Sequence, residues 1–127
     1  MTLIQSAVFA ALGGYAGLSA RIGARIYPDI APQGVATPFA VWQEVSLVQA
    51  NSMAGSAETS GLSNYTIQVT CWAKTGTLAR EVDQEVRNAM IAASGFKSLL
   101  RDNRALGYEA DTKLHGIQSD FSVWLKT

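Results

Sequence analysis

Cys71 and His115 are the one thiol and the one imidazole in this sequence, and they make the only thiol–imidazole pairing that nucleophilic catalysis could use. Such a pair needs a third group to orient the base and an oxyanion hole to hold developing charge. The sequence supplies neither. Strand alternation points both side chains to a core-directed face, where Cys71 also reads as a small buried hydrophobe and His115 as a partly exposed strand-start residue. Glu81, Asp83 and Glu85 have the side chains of a metal site, but their spacing spreads them around a helix. They are expected to complement the positive end of the helix dipole instead. Single Cys and His residues exclude an internal disulfide framework and a multi-histidine zinc site. Gly13, Gly14 and Gly17 (GGYAG) follow a helical pattern and precede no Lys-Ser/Thr, so they read as a helix stop rather than a phosphate cradle. Lys97, Arg101 and Arg104 form a small basic cluster that fits a solvated turn or a contact with an acidic group. No residue is therefore assigned to catalysis, a cofactor or a metal.

The chain has 127 residues and a mass of 13.5 kDa, which predicts a single domain over residues 1–127. At 48% hydrophobic and 16% charged residues it is less charged than the roughly 25% usual for a soluble domain. That composition opposes disorder and suggests that a partner covers some apolar surface. Ten basic residues balance ten acidic ones, so no global field attracts nucleic acid, and no sequence-specific nucleic-acid binding is expected. The apolar start, Leu3 to Leu12, lacks a basic flank, and no run of about 18 apolar residues could span a membrane. The expectation is a soluble cytoplasmic product with no membrane partner.

Positioning falls to two helices and three clear strands. Thr2 caps an N-terminal helix that places Leu3, Ile4, Ala7, Val8, Ala11 and Leu12 at helical spacing and stops at Gly13-Gly14. A short helical turn follows near Leu18 to Ile22. Arg25 to Pro28 is a brief extended piece, and Asp29 to Thr37 is a loop marked by Pro32, Gly34 and Thr37. The first strand runs from Pro38 to about Val48, with Phe39, Val41, Val45 and Leu47 toward the core. Asn64 to Ala73 and His115 to Lys126 alternate in the same way, with Ile67, Val69, Cys71, Ile117, Phe121 and Val123 inward. A weaker strand near Arg104 to Tyr108 pairs with the last through a turn at Glu109–Lys113. A helix capped by Thr75 or Thr77 and ended at Ser94-Gly95 buries Leu78, Val82, Val86, Ala89, Met90 and Ala93. The fold expected is α+β: an antiparallel sheet of about four strands against one long helix, with an N-terminal helix, in two or three layers.

Trp42, Trp72 and Trp124 fall on the strand faces opposite the aliphatic ones. Two readings stand. Either the N-terminal helix covers that second face as a third layer, or the face meets another subunit, since tryptophan is enriched at interface hot spots. Both can hold together. The segment Gln49 to Gly61 is longer than an ordinary hairpin loop. Asn51, Ser52, Met53 and Glu58 within it are candidates for contact with a partner.

The order of these pieces resembles the tail-completion, or tail-terminator, proteins of long-tailed phages with non-contractile tails and of related phage-like particles. The resemblance lies in Arg25-Ile26-Tyr27-Pro28, Ala31-Pro32-Gln33-Gly34 and Pro38-Phe39 entering a strand. It continues in Val69-Thr70-Cys71-Trp72-Ala73 leading to the helix of Ala79, Val82 and Val86, and in Asp120-Phe121-Ser122-Val123-Trp124. It implies a structural virion protein, not an enzyme, with an antiparallel sheet flanked by helices. It further implies a homo-oligomer, a hexameric ring, at the head-proximal end of the virion tail, assembled in the host cytoplasm. Such a ring would end growth of the tail tube and join it to the head connector, with tail tube protein and connector or stopper protein as partners. Pro28, Pro32, Gly34 and Pro38 would shape the loop, and Phe39, Val69 and Phe121 would belong to the core. An adaptor or stopper is the alternative joining role, and a small Cys/His enzyme is the remote one. No cofactor follows from either reading.

Overall fold

Two glycines stop the first helix, and a second helix of seven residues, about two turns, then carries the backbone to the sheet. The computed structural model describes residues 3–49 and 62–126. Its elements are α1 (Leu3–Gly13), α2 (Ala16–Ile22), β1 (Ile26–Pro28), β2 (Phe39–Gln49), β3 (Leu62–Ala73), α3 (Gly76–Ala92), β4 (Lys97–Glu109) and β5 (Leu114–Lys126). The strands form one sheet in the order β1-β2-β3-β5-β4, with β1 parallel to β2 and every other pair antiparallel. This is a five-stranded mixed sheet with three helices, one strand more than the sequence pattern suggests.

All three helices lie on the same side of the sheet. Ile4, Val8 and Leu12 of α1 and Leu18 and Ile22 of α2 share a core with Val82, Val86, Ala89 and Met90 of α3. That core closes on Ala40, Trp42, Tyr65, Ile67, Val69, Cys71, Phe121, Val123 and Leu125 of the sheet. The protein therefore has two layers. The N-terminal helix does not cover the second sheet face, because its apolar stripe is consumed by α3 and the shared core.

The first strand faces the other way from the sequence expectation. Ala40 pairs with Cys71 and Trp42 with Val69, so Ala40 and Trp42 point inward. Phe39 and Val41 pair with Trp72 and Thr70 and point to the open face. Both faces of this segment are apolar, so alternation alone cannot choose between them. An extra residue at Val45, between the paired positions Glu44 and Ser46, then shifts the parity, and Leu47 returns to the core side opposite Tyr65. Trp42 is 2% exposed, and its indole N–H has no hydrogen-bond partner among the described residues.

β4 is thirteen residues long, against the five expected. Two unmatched residues, Arg101 and Leu106, bulge from it against a regular β5, and Gly107 takes a positive φ of 81° at the second bulge. These insertions break the period-2 pattern that a sequence reading needs. The turn at Glu109–Lys113 does form, closed by a 2.8 Å bond from Lys113 N–H to the Glu109 carbonyl.

α3 is held by polar as well as apolar contacts. Thr75 caps it, its hydroxyl accepting a 3.1 Å bond from the Leu78 N–H. Asp83, expected to serve the helix dipole, is instead fully buried against the sheet. Its carboxylate accepts from the Ser119 hydroxyl at 2.6 Å, the Asn103 amide at 3.0 Å, Arg87 Nε at 3.0 Å and Arg80 Nη1 at 3.3 Å. Arg80 also reaches Asn103 Oδ1, and the Asn103 amide donates to Ser119 at 2.7 Å. One carboxylate thus ties α3 to β4 and β5. Replacing Asp83 with Ala removes the one acceptor that two guanidiniums, an amide and a hydroxyl share. Urea titration of that variant is expected to show a loss of about 3 kcal/mol, since the arginines are partly solvated and recover some hydration.

Candidate functional site

With the helices on one side, the other sheet face has no helix or strand over it among the described residues. Its centre is a ladder of side chains crossing four strands. Gln43 donates to Gln68 at 3.0 Å, Gln68 to Asp120 at 3.1 Å, and Arg104 reaches Asp120 at 3.5 Å and Gln118 at 2.9 Å. Arg104 also pairs with Asp102 on its own strand. Arg104 is thus absorbed by neighbours on the sheet, whereas Lys97 and Arg101 are exposed and have no ion-pair partner among the described residues. The expected basic cluster is divided accordingly.

The ladder separates two apolar ends. At one end, a cleft of about 370 Å³ is lined by Ile30, Phe39, Val41, Trp72, Leu106 and Leu114, with Asp29 and Glu109 at its polar margin. Trp72 lies against Gly116, where an added Cβ would come within 2.7 Å of the indole ring, so only glycine lets the ring rest on the sheet. At the other end stands Trp124, 40% exposed, in register with Asn64 on one side and Lys97 on the other. Leu99 beside it is 62% exposed.

Of the three tryptophans, the structure leaves two on the open face. Trp72 and Trp124 occupy opposite ends of it and do not touch a common patch, while Trp42 belongs to the core and leaves the candidate surface. The proposed partner-contact residues Asn51, Ser52, Met53 and Glu58 lie outside the described residues.

Sequence reasoning missed the exposed apolar residues at the two sheet margins. Val45, Leu47 and Val48 project from the far half of β2, and Leu99, Leu100, Leu106 and Tyr108 from β4. The signal was the density of aliphatic residues in Lys97–Tyr108, which no helix or clean alternation could absorb.

The thiol–imidazole pair is not assembled. Cys71 is opposite Ile117 in the middle of the core, and His115 is opposite Ala73 near the strand end, its ring 5.2 Å from that of Tyr108. Burial pushes the Cys71 thiol well above its ordinary pKa; the nearby Asp83 carboxylate adds to the rise and Arg87 opposes it. Among the described residues no group of three or more His, Cys, Asp and Glu side chains could hold a metal ion.

The family model of tail completion protein gp17 matches residues 6–126. The chain belongs to that family. It is accordingly a structural component of a virion tail. A chain in a solved structure described as the virion of a native gene transfer agent particle is similar in fold, with a TM-score of 0.75 and 17% identity. That match covers 98% of this chain and 95% of the other. A crystal structure of a protein from Akkermansia muciniphila is similar at 11% identity and a TM-score of 0.45, over 70% of this chain and 42% of that one. No curated protein matches the sequence.

Membership of a tail completion family directs attention to surfaces rather than pockets, and the tryptophans separate the two kinds of role. Trp42→Ala is expected to cost roughly 3–5 kcal/mol in a denaturant titration, because it empties a core site. Trp124→Ala should leave the unfolding midpoint nearly unchanged, because its ring is already half in water. Cys71 should resist a thiol-specific dye in the folded protein and react in full once denaturant is added. Rapid labelling of the native chain would show an accessible thiolate.

Proposed function

We propose that this protein is a tail terminator: a ring of identical subunits that caps the head-proximal end of the tail tube, stops tube polymerisation and presents a surface to the head connector. The family match over residues 6–126 carries this reading. The surface chemistry supports it. A subunit fixed between copies of itself and two other protein layers needs neutral, partly apolar lateral surfaces. Here the formal net charge is zero, one sheet face has no covering element among the described residues, and large apolar residues are exposed at two sheet margins. A hexamer is the stoichiometry this reading takes. Its partners are the tail tube protein below and a connector or stopper protein above, and assembly takes place in the host cytoplasm.

Nothing in this role asks for turnover. A buried, protonated thiol and a histidine set apart from it accord with a structural part. The Gln49–Gly61 segment is the proposed element for contact with tube or connector.

The decisive experiment is negative-stain imaging of particles made without the chain. Overlong tails of variable length with unjoined heads are the expected result. Tails of normal length on unjoined heads would assign the protein to an adaptor or stopper role instead, and joined particles with normal tails would overturn both.

A further inference from the structure

The sheet has two unfinished margins, and they match. β1 pairs only with Ala40 to Trp42, and the Asp29 N–H bonds the Trp42 carbonyl at 2.8 Å as the chain leaves. Beyond that point the outer edge of β2, from Gln43 to Gln49, is unpaired among the described residues. At the opposite margin, β4 pairs with β5 on one side only among the described residues. Exposed strand edges of this kind are templates for another strand.

Three features make the two edges fit each other. The first is direction. β2, β3, β5 and β4 alternate in sense, so β4 runs antiparallel to β2. If copies are arranged around an axis roughly along the strands, β2 of one copy therefore meets β4 of the next in antiparallel sense.

The second is level. Following the register across the sheet, Val48 aligns through Asn64 and Trp124 with Lys97. Leu47 aligns through Tyr65 and Val123 with Ser98, and Glu44 through Ile67 and Phe121 with Leu100. The open half of β2 thus stands level with the first residues of β4, the part that precedes both bulges. The closed half of β2 stands level with the bulged part. The open half of β2 carries its own extra residue at Val45, and the first bulge of β4, at Arg101, lies beside the level of Glu44.

The third is chemistry. Val45, Leu47 and Val48 are exposed on one edge, and Leu99 and Leu100 on the other. Glu44 is the one charge on the open β2 edge, and Arg101 lies beside Leu100 at the level Glu44 would reach. Both are exposed, and neither has an ion-pair partner among the described residues.

We infer that the Glu44–Gln49 edge of one subunit pairs antiparallel with the Lys97–Arg101 edge of a second copy, with Glu44 against Arg101, so that the sheet continues from subunit to subunit. The contact is heterologous, using different surfaces on the two copies, and such contacts repeat until the rotation closes a ring. Backbone pairing supplies the adhesion, and the apolar side chains and the ion pair set the register. This rests on the ring reading above and names the surfaces that build it.

Leu47→Cys combined with Ser98→Cys tests it. Within one chain these positions lie three strand spacings apart, about 14 Å, beyond the reach of a disulfide. Between copies they would be opposite. Oxidised, purified particles carrying the double variant should give a ladder of covalent multimers on a denaturing gel, while each single variant gives none above dimer. No ladder from particles with normally ended tails would overturn this interface and leave the ring reading intact. A ladder from a protein whose absence leaves tail length normal would uphold the interface and overturn the terminator role. As a second measure, Glu44→Arg and Arg101→Glu should each lower incorporation into particles about tenfold or more, and combining them should restore it. Normal incorporation of both single variants would overturn the pairing.

Discussion

One buried carboxylate holds the two layers in register. Asp83 sits on the sheet-facing side of α3 and gathers a hydroxyl from β5, an amide from β4 and two guanidiniums from its own helix. Apolar burial is non-directional and by itself specifies the seating of the helix on the sheet less sharply. Directed bonds to Ser119 and Asn103 set that seating. They also fix β4, which otherwise touches the core through little but Ser98, whose hydroxyl donates to the Met90 carbonyl at 2.9 Å. The shape of the exposed margin is thus set from inside, by a residue that no partner would touch.

Gathering three helices on one side has a second result. It covers the inward face of the sheet and leaves the other face to be stabilised largely by its own side chains. The Gln43–Gln68–Asp120–Arg104 ladder meets that need by bonding groups to each other across strands rather than to a covering layer. A tail completion protein gains from such an arrangement, since a face that is already hydrogen-bonded can meet either water or a neighbour without a large desolvation cost.

The long elements were legible in the sequence wherever one face was clearly greasier than the other. Ile67, Val69 and Cys71, and Phe121 and Val123, point inward as their alternation implies, and the stripe from Val82 to Met90 lies on the sheet. β2 misled because Phe39 and Val41 are as apolar as Ala40 and Trp42, so burial was decided by what β1 and α2 bring alongside. β4 was largely hidden, because two inserted residues destroy its period. Asp83 was hidden for a different reason. An acid in the second turn of a helix has a sufficient local explanation, and only the fold reveals that Asn103 and Ser119 come from afar to meet it. The candidate surface was half legible: three tryptophans announced a second face, but only the sheet register shows which of them belong to it.

The bulge at Leu106 affects more than local twist. A thirteen-residue edge of unbroken β geometry, rich in leucine, would be a nucleus for fibrous aggregation in the crowded interval between synthesis and assembly. Displacing one residue, with Gly107 turning the backbone behind it, leaves only a short regular stretch exposed. The chain thus limits how far any added strand could extend along this edge, through an irregularity that contributes nothing to its core.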